Sequence, residues 1–198
     1  MISTVLFDLD GVIRHFEPEV TAAIERRHGI APGLIAQIAF TSSSVEQLTT
    51  GRLLRADWIT AIGAELGNHE AAREWGAQRA RVDPEMLVLA GELTAAGIRT
   101  SILTNGTDTI PAETADLGLN EHFDPIFNTA EIGFAKPDAR AFTHVLDALG
   151  CEPASVLFAD DTQANVAGAA ELGIRTHHFR DAPSLRVDLK TRGVLAGA

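Results

Sequence analysis

Acidic residues lie at the ends of two apolar segments of this sequence. Asp8 and Asp10 follow the run Thr-Val-Leu-Phe near the N-terminus, and Asp160 and Asp161 follow the run Ser-Val-Leu-Phe-Ala. A carboxylate at the end of a buried strand is costly without a compensating partner, and a divalent cation can supply one. Oxygen ligands without a Cys or His cluster favour Mg²⁺ over Zn²⁺ or copper. The two segments therefore predict a magnesium site.

Asp8 and Asp10 are two residues apart. If the first strand extends through both, their side chains point to the same face of it. One carboxylate can then attack an electrophile while the other, or its backbone carbonyl, carries a proton or binds the metal. The alternative is that Asp10 only begins a turn with Gly11.

Asp160 and Asp161 are adjacent carboxylates, which repel each other unless a cation lies beside them. Asn165 is one helical turn beyond Asp161 and is expected on the same side of the following helix. The alternative is an ordinary helix N-terminus at which the carboxylates interact favourably with the helix dipole.

Three other polar residues complete the candidate set. Thr104 and Asn105 end a third apolar segment, where a hydroxyl and backbone N–H groups can bind an anion. The alternative there is a plain turn with an Asn helix cap. Lys136, in an apolar loop before a proline, can neutralise a carboxylate and a phosphate oxygen together. The alternative is a solvated loop lysine, although the chain has only one other, Lys190.

The segments that must position these residues alternate between strand and helix patterns. Strands are predicted at residues 4–10, 99–105, 125–128, 155–160 and 174–177, and helices at 84–96, 138–149, 162–172 and 182–192. This alternation predicts an α/β fold, a Rossmann-like parallel sheet with helices on both faces. The carboxyl ends of such strands meet at one edge, which is where ligands bind.

Residues 16–82 differ from the rest of the chain. They contain no convincing strand, and short helices are predicted at 19–28, 32–40, 45–49, 56–66 and 70–81. We expect a small all-α cap domain, inserted after the first strand into an α/β core of residues 1–15 and 83–198.

Composition excludes several classes of partner. The formal net charge is −11, which disfavours nucleic acid and anionic membranes. No apolar run spans a bilayer, and we expect no signal peptide. The single Cys151 excludes an intrachain disulfide and suits a reducing cytoplasm. Whether the protein is a monomer or a homodimer is left open.

Four motifs together resemble the haloacid dehalogenase-like hydrolase superfamily, in its phosphatase branch with an α-helical type 1 cap. They are Phe-Asp-Leu-Asp-Gly-Val at residues 7–12, Ile-Leu-Thr-Asn at 102–105, Lys-Pro at 136–137 and Phe-Ala-Asp-Asp-Thr-Gln-Ala-Asn at 158–165. Their order and their spread over nearly the whole chain make the resemblance specific. One departure is Val12, where many relatives have Thr.

The resemblance implies a catalytic role for each of five residues. Asp8 would attack phosphorus and form an aspartyl-phosphate, while Asp10 would protonate the leaving oxygen and then activate water. Thr104 and Asn105 would hold the phosphoryl oxygens. Lys136 would pair with both Asp8 and the phosphoryl group.

The resemblance also implies Mg²⁺ as cofactor. Its ligands would be Asp8, the backbone carbonyl of Asp10 and the side chain of Asp161. Asp160 and Asn165 would support these ligands.

The activity implied is a phosphatase acting on a small phosphorylated metabolite, a small-molecule phosphate ester. Sugar phosphates, phosphoglycolate-like acids and nucleotides are all left open. The alternatives are a phosphomutase, a 2-haloacid dehalogenase of the same superfamily, or a non-catalytic binding protein that retains the fold. Dehalogenases in this superfamily lack an acid two positions after the nucleophile, so Asp10 favours phosphate esters.

Substrate specificity is expected to lie in the cap and at its junction. Arg14 and His15 could meet the leaving group, or could be hinge residues. Arg52 lies in a Gly-containing loop predicted to reach the site. Trp58 and Trp75 are expected in the core of the cap.

Overall fold

The computed structural model describes residues 1–196. Five parallel strands form one sheet in the order β5-β4-β1-β6-β7, and β2 pairs with β3 separately. The strands are β1 (Thr4–Phe7), β2 (Arg14–His15), β3 (Arg81–Val82), β4 (Arg99–Thr104), β5 (Ile126–Asn128), β6 (Val156–Asp160) and β7 (Arg175–His178). The central three strands, β4, β1 and β6, end at the edge where the candidate residues lie.

Successive side chains of the central strands enter different cores. Val5 and Phe7 pack in one hydrophobic cluster, while Leu6 between them packs in the other. Each cluster also contains helical residues, so helices cover both faces of the sheet, as predicted. This confirms the α/β fold class.

Helices connect the strands. They are α1 (Pro18–Arg27), α2 (Leu34–Ala39), α3 (Ser42–Thr49), α4 (Arg55–Leu66), α5 (His69–Gly76), α6 (Pro84–Ala95), α7 (Ile110–Asp116), α8 (Thr129–Ile132), α9 (Ala139–Leu149), α10 (Gln163–Glu171) and α11 (Ala182–Thr191). Short 3-10 turns occupy Leu119–Glu121 and Pro153–Ser155. Helices α6 and α11 cover one face of the sheet, and α9 and α10 cover the other. None of the helices within residues 1–196 has the length and apolar character needed to cross a membrane.

Helices α1–α5 form a block with its own core, which we call the helical insertion. Leu48, Trp58 and Ile62 are buried in one cluster of this block, with Trp75 packed against them, and Ile24 and Ile35 are buried in a second cluster. The Trp58 indole N–H donates to the carbonyl of Ala39 at 3.1 Å, so its polar atom is satisfied inside the block.

Strands β2 and β3 join the helical insertion to the rest of the chain. Arg14 pairs with Val82 and His15 with Arg81 in antiparallel register. Two-residue strands of mostly charged residues carry no alternating pattern, so the prediction of no strand in this region was wrong. The helix predicted at residues 70–81 also ends early, at Gly76, because Arg81 belongs to this ribbon.

The first strand is shorter than predicted. It ends at Phe7, and Asp10 forms an isolated bridge with Arg14 beyond it. Gly11 has φ of +89°, which reverses the chain there. Asp8 and Asp10 therefore lie in a loop, and the expectation that strand alternation places them on one face was wrong.

Phe142 supports the face of the sheet covered by α9. Its ring is buried and meets Phe158 edge to face, with centroids 5.3 Å apart. We predict that Phe142→Ala lowers the free energy of unfolding by about 3–5 kcal/mol, because it leaves a cavity in a closed core. Urea denaturation measures this, with exposed Val88→Ala on α6 as control. A loss below about 1 kcal/mol would contradict this account of the packing.

Candidate active site

A buried lysine bridges two buried aspartates at the carboxyl edge of the sheet. The ammonium of Lys136 lies 2.8 Å from Asp8 Oδ1 and donates to Asp160 Oδ2 at 2.7 Å. The side chains of Lys136 and Asp160 are fully buried, and Asp8 is nearly so. Asp8 follows β1, Asp160 ends β6 and Lys136 comes from the loop between α8 and α9. The sheet thus brings together three residues that are far apart in sequence.

Asp160 is fully occupied by protein donors. Besides Lys136, it accepts from the backbone N–H of Thr162 at 2.7 Å and from the Asn165 amide at 3.2 and 3.1 Å. A carboxylate with donors on both oxygens is a poor additional metal ligand, although it can orient its neighbours. The geometry therefore suits the supporting role expected for Asp160 and Asn165.

The contacts between Lys136, Asp8 and Asp160 shift the pKa values of Asp8 and Lys136. Burial raises the pKa of Asp8 to about 7; Lys136 opposes this rise and nearby Asp160 adds to it. Burial would lower the pKa of Lys136, but the facing carboxylates outweigh it and the pKa is raised. Lys136 therefore stays charged at neutral pH. Further positive charge beside Asp8 would favour its ionised form.

The donor set fits a hard divalent cation. Carboxylate oxygens of Asp8, Asp160 and Asp161 lie within 4.8 Å of one another. Among residues 1–196, no group donates to Asp8 Oδ2 or Asp161 Oδ2, whereas Asp160 is occupied. Asp8 and Asp161 therefore offer free anionic oxygens of the kind that Mg²⁺ prefers.

The absence of a side chain at Gly11 allows Asp161 to approach the loop that follows β1. A Cβ at position 11 would lie 2.2 Å from Asp161 Oδ2, and the φ of +89° also disfavours any side chain there. The glycine that follows Asp10 thus has a packing role as well as a turn role.

Asn105 fixes the loop that carries Lys136. Its amide donates to the Lys136 carbonyl at 2.9 Å, and its carbonyl oxygen accepts from the Lys136 N–H at 2.8 Å. Helix α7 begins only at Ile110, so the alternative of an Asn helix cap is wrong. Thr104, which ends β4 beside it, is buried.

Asp10 belongs to a second network. The Arg14 guanidinium donates to its two oxygens at 2.6 and 3.3 Å and also donates to Glu113 at 2.7 Å. Burial would raise the pKa of Glu113, but the Thr109 hydroxyl and Arg14 hold it below its usual value. Glu113 was not among the residues predicted from the sequence, because it is 99 residues from Arg14 and lies on α7, a helix that was not predicted.

The expected specificity residues lie in different places. Arg14 is buried, and its charge is paired with Asp10 and Glu113. His15 faces Asp83 across the β2–β3 ribbon at 3.6 Å. Arg52 is exposed and pairs with Glu46. Its neighbour Gly51 packs so tightly on α8 that a Cβ there would lie 2.1 Å from the Ala130 carbonyl oxygen.

A cavity of about 380 Å³ lies between the helical insertion and the sheet edge. Asp10, Arg14 and Asn105 line it from the sheet side. Trp58 and Trp75 line it from the insertion, so they belong both to the core of that block and to the cavity wall.

Comparison with known proteins identifies the family. The sequence model of the haloacid dehalogenase-like hydrolases matches residues 2–173, most of the chain. The chain belongs to the haloacid dehalogenase-like hydrolases. The family and hydrolase class predicted from the four motifs are confirmed.

Relatives of this hydrolase include enzymes of several activities. Phosphoglycolate phosphatase of Rhodospirillum rubrum is 31% identical over 196 residues, which are 88% of this chain and 78% of that protein. Bifunctional epoxide hydrolase 2 of Rattus norvegicus is 28% identical over 93% of this chain. The chain spans only 37% of that protein's length.

A solved structure supports the fold. The haloacid dehalogenase family enzyme of Bacteroides thetaiotaomicron, crystallised with magnesium and inorganic phosphate, superposes with a TM-score of 0.75 at 21% identity. The match covers 93% of this hydrolase and 99% of that chain.

The Lys136 bridge generates a stability prediction. Lys136→Met leaves two buried carboxylates facing each other, so we expect a loss of about 3–5 kcal/mol in the free energy of unfolding in metal-free buffer. Urea denaturation measures it, and Lys190→Met, an exposed lysine on α11, is the matched control. Adding Asp8→Asn should recover part of the loss, because one of the facing charges is removed. Equal stability of the Lys136 and Lys190 variants would contradict the bridge.

Proposed function

We propose that this hydrolase is a Mg²⁺-dependent phosphatase that cleaves a small phosphate monoester through an aspartyl-phosphate on Asp8. The observation that carries the proposal is the buried Lys136 ammonium against Asp8, beside the free oxygens of Asp8 and Asp161. Phosphoryl transfer depends mainly on positioning and on neutralising charge, and this arrangement supplies both.

The first half of the reaction uses Asp8 and Asp10. A carboxylate oxygen of Asp8 forms a bond to phosphorus as the bond from phosphorus to the leaving oxygen breaks. Asp10 gives that oxygen its proton, so the alcohol leaves neutral. Asp10 lies in the cavity lining, which supports this role, and to act as the acid it would take up a proton in place of a hydrogen bond from Arg14.

The second half regenerates the enzyme. Asp10, now a carboxylate, takes a proton from water, which attacks phosphorus and releases Asp8 and inorganic phosphate. Throughout, Lys136 stabilises the charge on Asp8 and the phosphoryl oxygens, while Thr104 and the Asn105 N–H hold those oxygens. Asp8, the Asp10 carbonyl and Asp161 would hold Mg²⁺, which would neutralise phosphoryl charge and position the group.

The helical insertion would act as the cap of this enzyme, with residues 16–82 covering a core of residues 1–15 and 83–198, of which 197–198 lie outside the described residues. The short β2–β3 ribbon is the connection about which such a cap can move. Closure over the sheet edge would exclude bulk water from the phosphoryl group.

The nucleophile is tested by Asp8→Asn. We expect Mg²⁺-dependent hydrolysis of p-nitrophenyl phosphate to fall by at least about 10³-fold, because an amide cannot attack phosphorus. Asp147→Asn, at an exposed aspartate on α9, is the control and should keep full activity. Full activity in the Asp8 variant would exclude the mechanism. Halide release from a 2-haloacid would favour the dehalogenase alternative, and phosphate transfer to a second hydroxyl would favour the mutase.

The metal site is tested through Gly11. Gly11→Ala should push the Asp161 carboxylate away and raise the Mg²⁺ concentration for half-maximal activity by about 10-fold or more. Gly97→Ala is a matched control, because Gly97 also has positive φ, +78°, but has open space around it. If both variants lose stability and neither changes the Mg²⁺ dependence, Asp161 is not a ligand.

A further inference from the structure

The cavity beside Asp10 has a predominantly apolar wall. Its apolar side chains come mainly from the helical insertion and the segment leading into it: Phe16, Phe40, Val45, Leu48, Trp58 and Trp75. Phe40 and Phe16 remain 61% and 46% exposed. Large apolar side chains left open around a cavity are characteristic of a surface that binds an apolar ligand.

Three aromatic rings give this wall its shape. Trp58 and Trp75 meet edge to face with centroids 5.3 Å apart, and Phe40 lies 6.1 Å from each. The indole N–H of Trp58 is bonded to the Ala39 carbonyl. That ring therefore presents hydrocarbon to the cavity.

The charged side chains of the described lining residues balance in number, with Arg14 and Arg55 against Asp10 and Glu113. Arg14 pairs with Asp10 and Glu113, and Arg55 donates to the Gly76 carbonyl and lies 3.9 Å from Glu113. A second anionic group on a substrate, such as a carboxylate or another phosphate, would therefore meet no excess of positive charge among the described lining residues, although the ion pair of Arg55 is long. Its lost hydration would be compensated poorly.

The uncharged polar groups of the helical side are also engaged. Gln78 and Thr21 bond to each other, and the Thr49 hydroxyl donates to the Val45 carbonyl at 2.8 Å. A polyhydroxylated leaving group such as a sugar would have to displace these bonds in order to form its own.

We infer that the substrate is the monophosphate of a hydrophobic alcohol, whose hydrocarbon body lies against Phe40, Trp58 and Trp75. The inference rests on the proposed phosphatase function and assigns its substrate class. Sugar phosphates and phosphorylated acids are then poor substrates.

The test is a series of n-alkyl monophosphates from ethyl to decyl, assayed below their critical micelle concentrations with Mg²⁺. Each methylene moved from water into the cavity is expected to raise kcat/KM by up to about fourfold, until the cavity is filled. Glucose 6-phosphate and phosphoglycolate should give kcat/KM below that of the octyl ester. A flat series, or a sugar phosphate or phosphoglycolate preferred over the octyl ester, overturns the inference.

A variant pair tests which wall binds the chain. Phe40→Ser should lower the ratio of octyl to ethyl kcat/KM by about tenfold, because it removes an aromatic contact. Leu54→Ser replaces another exposed apolar residue, outside the cavity lining, and should leave the ratio unchanged. Thermal unfolding checks that both variants are folded. An unchanged ratio in folded Phe40→Ser overturns the assignment of this wall.

Different results would contradict the phosphatase function and the hydrophobic substrate class. If p-nitrophenyl phosphate is hydrolysed with Mg²⁺ and Asp8→Asn is inactive, the phosphatase function stands whatever the alkyl series shows. A flat alkyl series then removes only the hydrophobic substrate class. If no phosphate ester is hydrolysed, the proposed function itself fails.

Discussion

The site depends on one buried ammonium group. Lys136 has no exposed side-chain surface, so its charge is tolerable only because Asp8 and Asp160 lie within hydrogen-bonding distance. The reverse also holds, since each carboxylate would be costly without the lysine. This mutual dependence ties the ends of β1 and β6 to the loop after α8. Any distortion of the sheet edge would therefore expose an unpaired charge.

The surrounding contacts hold this arrangement from several directions. Asn105 forms two hydrogen bonds with the backbone of Lys136, which connects the end of β4 to the same loop. Asn165 and the Thr162 N–H fix Asp160 from the start of α10. Because these groups satisfy Asp160, the negative charge that remains available lies on Asp8 and on exposed Asp161. Because few oxygen lone pairs in the site remain free, a cation has few positions in which it can bind.

Sequence could predict the parts of this site that local pattern determines. Asp8, Asp160 and Lys136 stand at the ends of apolar segments or in an apolar loop, and the parallel-sheet rule gathers such positions at one edge. It could not predict the pairing of Arg14 with Glu113, which depends on how α7 packs. It also misplaced Asp10, because Gly11 ends the strand early and turns the chain towards Arg14.

The candidate catalytic side chains and the apolar cavity wall come from different parts of the chain. The carboxylates and the lysine belong to loops at the sheet edge, whereas Phe40, Trp58 and Trp75 belong to the helical insertion. A chain of net charge −11 repels anions in general, so binding of an anion requires local positive charge. Lys136 and Arg14 each face two carboxylates, so neither supplies a net positive charge without the cation that Asp8 and Asp161 could hold. Contact with the apolar wall of the helical insertion would then add binding energy that does not depend on charge.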